Sequence, residues 1–130
     1  MARPATPHPT DAELAILRVL WARGSATVRA VHDALAARGG ASYTSVLKLM
    51  QIMHEKGLVR RDERERSHVY YPAVRREDTQ KRLVRHLVDR AFDGSAARLV
   101  IGALSAKPAS ADEIAEIRRF LDEAEKGARP

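Results

Sequence analysis

A mainly α-helical fold, interrupted once by a short β ribbon after the third helix, is what this 130-residue sequence predicts. Three observations carry the prediction. Apolar residues recur at helical spacing over most of the chain, the period shortens to that of strands only between residues 58 and 71, and residues that cap or break helices stand at each change. A hydrophobic content of 45% over this length suits one compact unit with a modest core and an appendage.

The elements follow in order. Pro4, Pro7 and Pro9, with no apolar run among them, make residues 1–9 a flexible tail. Thr10-Asp-Ala-Glu13 reads as a capping box, in which the threonine hydroxyl and the glutamate carboxylate satisfy backbone donors at a helix start. Leu14, Leu17, Val19, Leu20 and Trp21 then form an apolar face on a helix that ends near Arg23-Gly24. Thr27 caps a second helix, Val28 to about Arg38, with Val28, Val31, Ala34 and Leu35 on one face and Gly39-Gly40 as its stop. A third helix starts near Ser42. Val46, Met50 and Met53 face the core, while Thr44, Lys48, Gln51 and Glu55 point the other way.

After Gly57, the runs Leu58–Asp62 and His68–Tyr71 read as two strands, joined by the charged segment Glu63–Ser67. That segment has no glycine, so a longer mobile loop is expected in place of a tight two-residue turn. Three helices followed by a two-stranded ribbon is the order of a winged helix-turn-helix domain. Beyond Pro72, a helix from Arg76 to about Ala91 carries Leu83, Val84, Leu87 and Val88 as a stripe, and Asp93-Gly94-Ser95 ends it. A short apolar helix spans Ala96 to Leu104. Ser110-Ala-Asp-Glu113 is a second capping box, and the final helix presents Ile114, Ile117, Leu121 and Ala124. These last three helices offer too little material to bury one another in a monomer, so they need a partner. The expected division is therefore a tail at 1–9, a winged-helix domain at 10–74 and a helical dimerisation region at 75–130.

Composition excludes several classes. The absence of cysteine removes disulfides, thiolate metal sites and cysteine nucleophiles together. The five histidines form no His-x-x-x-His pair, so no metal site or cofactor is expected. No phosphate-binding glycine loop, nucleophile elbow or paired-carboxylate signature is present, and the chain does not read as an enzyme. No apolar run approaches a membrane span, and the first ten residues lack the apolar centre of a signal peptide. Cytoplasmic localisation without stable membrane association is therefore expected. A net charge of +6 and a pI near 10.2 suggest a polyanionic partner. Residues 1–74 carry 11 basic and 7 acidic side chains against 12 and 10 in residues 75–130, so the first part is the more cationic.

Specific segments resemble the penicillinase-repressor family of the BlaI, MecI and CopY type. They are Glu13-Leu-Ala-Ile-Leu-Arg-Val-Leu-Trp21, Thr27-Val-Arg-Ala-Val-His-Asp-Ala-Leu35, Tyr43-Thr-Ser-Val-Leu-Lys-Leu-Met50 running into Glu55-Lys-Gly-Leu-Val-Arg60, Arg66-Ser-His-Val-Tyr70, and Ala91-Phe-Asp-Gly-Ser95. The resemblance covers nearly the whole chain from Thr10. It implies a sequence-specific repressor that binds double-stranded operator DNA as a homodimer and controls antibiotic-resistance or related genes. Two departures bear on the signal. The copper-responsive branch carries a cysteine-rich metal-binding end, which a chain without cysteine cannot supply. The β-lactam-responsive branch is cleaved at an Asn-Phe pair in the helix matching Ala96–Leu104; this sequence has no asparagine, which leaves a membrane sensor-protease partner an open question.

In such a domain the start of the third helix enters the major groove, which makes Tyr43, Thr44, Ser45 and Lys48 candidate DNA contacts. Lys48 suits a guanine edge or a phosphate, and Tyr43 suits either a phosphate contact or packing under the helix start. Thr27 and Arg29, opening the second helix, can present a hydroxyl, backbone amides and a cation to a phosphate. Arg60, Arg61, Arg64 and Arg66 on the ribbon can clamp the flanking backbone or enter the minor groove. The expected dimerisation residues are Leu83, Val84, Leu87, Val88, Phe92, Leu99, Val100, Ile117 and Leu121. The alternative is a winged-helix protein-interaction module without base readout, which calls for an apolar patch where the third helix carries Thr44, Lys48, Gln51 and Glu55.

Overall fold

The computed structural model describes residues 8–128. Residues 1–7 of the expected tail lie outside the described residues, as do 129 and 130. Helix α1 (Asp11–Arg23) begins with the capping box that its sequence specifies: the Thr10 hydroxyl accepts from the Glu13 amide at 3.2 Å, and Glu13 Oε1 accepts from the Thr10 amide at 2.9 Å. It ends at Gly24, whose φ of 86° is open to glycine at no steric cost. The two-residue strand β1 (Ala26–Thr27) runs into helix α2 (Val28–Ala36), where the Thr27 hydroxyl accepts from the Ala30 amide at 3.1 Å. Helix α3 (Tyr43–Lys56) is capped by Ser42 and stops at Gly57 in the left-handed region. Strands β2 (Val59–Asp62) and β3 (Val69–Pro72) follow, and then helix α4 (Arg76–Ala91).

The ribbon is a three-stranded antiparallel sheet of order β1-β3-β2, which corrects the two-stranded expectation. Ala26 pairs with Tyr70 and Thr27 with Val69. A strand of two residues has no periodicity to reveal it; it exists because β3 offers it a free edge. Two helix ends also shift. Helix α2 stops at Ala36, short of Arg38, and Leu35 carbonyl oxygen accepts from the amides of Arg38 and Gly40 in the turn that follows.

The core lies among α1, α2, α3 and the ribbon. Ile16, Leu17 and Leu20 meet Val31, Val46, Met50 and Met53, closed from below by Leu58, Val59 and Tyr70, all at 2% exposure or less. Each such side chain contributes about 1.5–3 kcal/mol on leaving water. The buried face of α1 is thus centred on Ile16, Leu17 and Leu20. Leu14, Val19 and Trp21, expected on that face, are only partly buried. Trp21 is placed at the exit of the ribbon: its Nε1 donates to the Val74 carbonyl at 3.0 Å and Arg76 lies over its ring at 5.7 Å.

The chain divides into two compact units, Met1–Val84 and Arg85–Pro130, with the division inside α4. In the second unit, α4 ends where Asp93 and Gly94 take φ values of 52° and 75°. Ser95 caps helix α5 (Ala96–Ala106), two residues longer than expected, and the Ser110–Glu113 box caps helix α6 (Ala111–Gly127). No described residue between 85 and 128 is buried. Leu87, Val100, Ile101, Phe120 and Leu121 are 42–72% exposed, so this unit has helices but no interior.

Candidate nucleic-acid interface

Helix α3 turns one face into the core through Val46, Met50 and Met53, and this fixes the opposite face. Thr44, Lys48, Gln51 and Glu55 are all exposed on it, with Ser45 exposed beside Thr44. At the helix start the Ser42 hydroxyl accepts from the Ser45 amide at 3.3 Å and donates to the Ser45 hydroxyl at 3.1 Å, so Ser45 is held by the cap. Tyr43, 38% exposed, is flanked by two residues of α2: the Arg29 guanidinium lies 5.0 Å from its ring centre, and His32 meets it edge-on at 5.9 Å. Both of the uses open to Tyr43 are accommodated, because the ring packs on α2 while part of it faces solvent.

A groove of about 280 Å³ runs between the start of α2, the exposed flank of α3 and the ribbon. Thr27, Arg29, Tyr43, Arg61 and Arg66 line it, gathered from positions up to 39 residues apart. Gln51 and His68 also line it and were not among the candidates. Gln51 could have been found as the next outward position after Lys48 along α3. His68 carried no signal, since its side of the strand depends on where pairing begins. Three arginines around one groove with no acidic side chain in its lining make it attractive to an anion.

The four ribbon arginines do not act alike. Arg61 pairs across the sheet with Tyr70 and Arg60 with Tyr71, so alternation puts the two neighbours on opposite faces. Arg61 shares its face with buried Tyr70 and is only 20% exposed. Its guanidinium sits 6.0 Å from the Tyr70 ring and 3.3 Å from Glu63, and hydrogen bonding to Tyr70 is the main cause of its raised pKa. Arg60 is exposed on the other face, away from Arg61. Arg64 is bound to Asp62, with Nη2 to Oδ2 at 2.7 Å, and the Arg64 hydrogen bonds hold the Asp62 carboxyl down at about 2. Arg66 is exposed at the groove edge.

Of the candidate dimerisation residues, Val84, Leu87, Val100 and Leu121 are exposed, and Leu83, Val88, Phe92, Leu99 and Ile117 are half-buried. Ile101 and Phe120, 65% and 72% exposed, are further apolar residues on α5 and α6 that the sequence reading left out. Phe120 stands three residues after Ile117, at helical spacing, so its position was readable. Among the described residues no group of three or more His, Cys, Asp or Glu side chains could hold a metal ion, and no helix is long and apolar enough to cross a membrane.

Comparison with known proteins adds an independent line. A model of the penicillinase repressor family matches residues 9–123. The transcriptional regulator BlaI of Mycobacterium tuberculosis (strain ATCC 25618 / H37Rv) is 35% identical over 118 residues, covering 90% of this chain and 85% of that protein. The penicillinase repressor of Bacillus licheniformis is 24% identical over 117 residues, covering 90% and 91%. The methicillin resistance regulatory protein MecI of Staphylococcus aureus (strain N315) is 20% identical over 113 residues, covering 87% and 92%. Among solved structures, the solution structure of the DNA binding domain of the repressor BlaI aligns with a TM-score of 0.52 at 24% identity, over 58% of this chain and 93% of that one, which shows a shared winged-helix fold.

Proposed function

The chain belongs to the penicillinase repressor family, and from that premise we propose that it is a transcriptional repressor that binds operator DNA as a homodimer. The exposed face of α3 reads bases in the major groove, with Thr44 and Lys48 as the principal contacts and Tyr43 and Ser45 at the helix start. The groove beside it takes the phosphate backbone through Thr27, Arg29, Arg61 and Arg66, and Arg60 and Arg64 add charge at the ribbon. The observation that carries the reading is the meeting of three arginines, of which Arg61 is also paired with Glu63, and a helix start around one groove whose lining holds no acidic side chain, directly beside a polar helix face. The polar face also argues against a protein-interaction module, which would bury an apolar patch there.

A homodimer through the second unit gives the exposed residues of α4, α5 and α6 their cover, and a two-fold axis presents two α3 helices to a roughly palindromic operator. The relatives named for penicillinase and methicillin resistance support control of antibiotic-resistance or related genes. The proposed domains are a winged helix over residues 10–74 and a dimerisation region from 75 onward. A regulator of this kind performs no catalysis and works in the cytoplasm beside its DNA.

Fluorescence anisotropy against the duplex upstream of its own gene and a scrambled duplex, at two salt concentrations, tests the proposal. Tighter binding to the native duplex that survives higher salt is expected. Equal, steeply salt-sensitive binding to both would reduce the interaction to a basic protein meeting a polyanion.

A further inference from the structure

One carboxylate joins the first turn of α1 to the last turn of α3. Glu13 is 1% exposed and uses both of its oxygens, Oε1 on the Thr10 amide at 2.9 Å and Oε2 on the Lys56 ammonium at 2.8 Å, across 43 residues of sequence. Burial pushes the carboxyl up, but Lys56 and the Thr10 amide outweigh it and leave Glu13 below its ordinary pKa, charged throughout the neutral range. Capping alone does not require this arrangement. The same box at α6 works with Glu113 exposed to solvent.

The location of the pair gives it a role. Lys56 is the final residue of α3; Gly57 then turns the chain at φ 83°, and Leu58 and Val59 anchor the ribbon in the core. The pair therefore holds the point at which the exposed helix gives way to the ribbon. A 14-residue helix is about 21 Å long at 1.5 Å per residue, so a pivot of about 5° at one end moves the other by about 1.8 Å. Hydrogen bonds to base edges tolerate only about 0.5 Å of misplacement.

We propose that Glu13 and Lys56 are positioning residues for base readout: their ion pair sets the tilt of α3 against α1 and so aligns Thr44 and Lys48 with the arginines of the groove. The inference rests on the operator-binding reading above. It predicts that weakening this half-buried pair, at the opposite end of α3 from Thr44, degrades sequence discrimination without removing a phosphate contact.

The test uses the full chain and the native and scrambled duplexes. Glu13→Gln keeps a residue that serves in capping boxes but removes the charge. Lys56→Gln, at a side chain 32% exposed, asks the same question from the solvent side should the first variant not fold. Lys56→Arg keeps the ion pair. Expected are folded variants by circular dichroism, a fall of about tenfold in native-over-scrambled preference for either Gln variant, and an unchanged salt slope; Lys56→Arg should stay within about twofold of wild type. A Gln variant that melts earlier yet keeps the full preference while folded would reduce the pair to a structural staple and overturn the proposal. A salt slope lowered by about one in Lys56→Gln would overturn it too, by making Lys56 a phosphate contact. If the wild-type chain itself shows no preference, the operator reading fails and takes this inference with it; loss confined to the variants' behaviour leaves that reading standing.

Discussion

Asp62 clamps Arg64. One carboxylate accepts the Arg64 guanidinium, Nε to Oδ1 at 3.1 Å and Nη2 to Oδ2 at 2.7 Å, and also the Arg64 backbone amide on Oδ1 at 3.0 Å. The loop between β2 and β3 lacks the glycine of a tight hairpin turn, and this aspartate turn shapes its first residues instead. Arg64 is 87% exposed, but its guanidinium is ion-paired with Asp62.

Asp62→Ala should therefore release the guanidinium. Binding to scrambled DNA is expected to tighten and the salt slope to steepen by about one, read in the same anisotropy titration. An unchanged slope would mean that Arg64 stays off the backbone even when free.

The clamp is insensitive to physiological pH. A carboxyl held at about 2, against an ordinary value of 3.8, contributes stability that is fully present above 3.8 and disappears as pH falls through about 2. The Asp62 carboxyl shift in an NMR titration should stay flat from pH 8 to 5 and show its midpoint near 2.

Lys48→Ala is expected to weaken operator binding by about 1–3 kcal/mol while leaving thermal unfolding unchanged, because the side chain is exposed on α3 and supports nothing in the core. Equal loss on the scrambled duplex would assign Lys48 to a phosphate.

Leu87→Asp should abolish the proposed dimer. Leu87 is 47% exposed on α4, and a charge placed there costs little in an isolated chain but much in an apolar interface. Sedimentation velocity would register the change, and an unaltered coefficient would contradict the interface.

Met50→Ala should destabilise the first unit by about 2–5 kcal/mol, since Met50 is fully buried among the residues of three helices. Chemical denaturation followed by circular dichroism gives the value.

What could be read from the sequence was local. Thr10 with Glu13, and Ser110 with Glu113, specify their helix starts within four residues, and both boxes form. Val46, Met50 and Met53 declare the inner face of α3 by spacing alone. Strand β1 was not readable, because Ala26 and Thr27 become a strand only through Tyr70 and Val69. Nor was the bond from Glu13 to Lys56: each residue has a sufficient local explanation, as a cap and as a charge near a helix end. The ribbon arginines were readable as a cluster but not as individuals. Arg60 and Arg61 are adjacent letters on opposite faces, and Arg64 is occupied by a neighbour.

The bare second unit has a consequence for dosage. In the proposed homodimer, whose copies cover these helices for one another, the DNA-reading species is the product of a two-chain association, so its amount would follow the square of the chain's concentration when copies are scarce. Halving the supply would then leave about a quarter of the paired form. A gene governed by such a molecule responds to modest dilution or turnover of its regulator as though to a much larger loss.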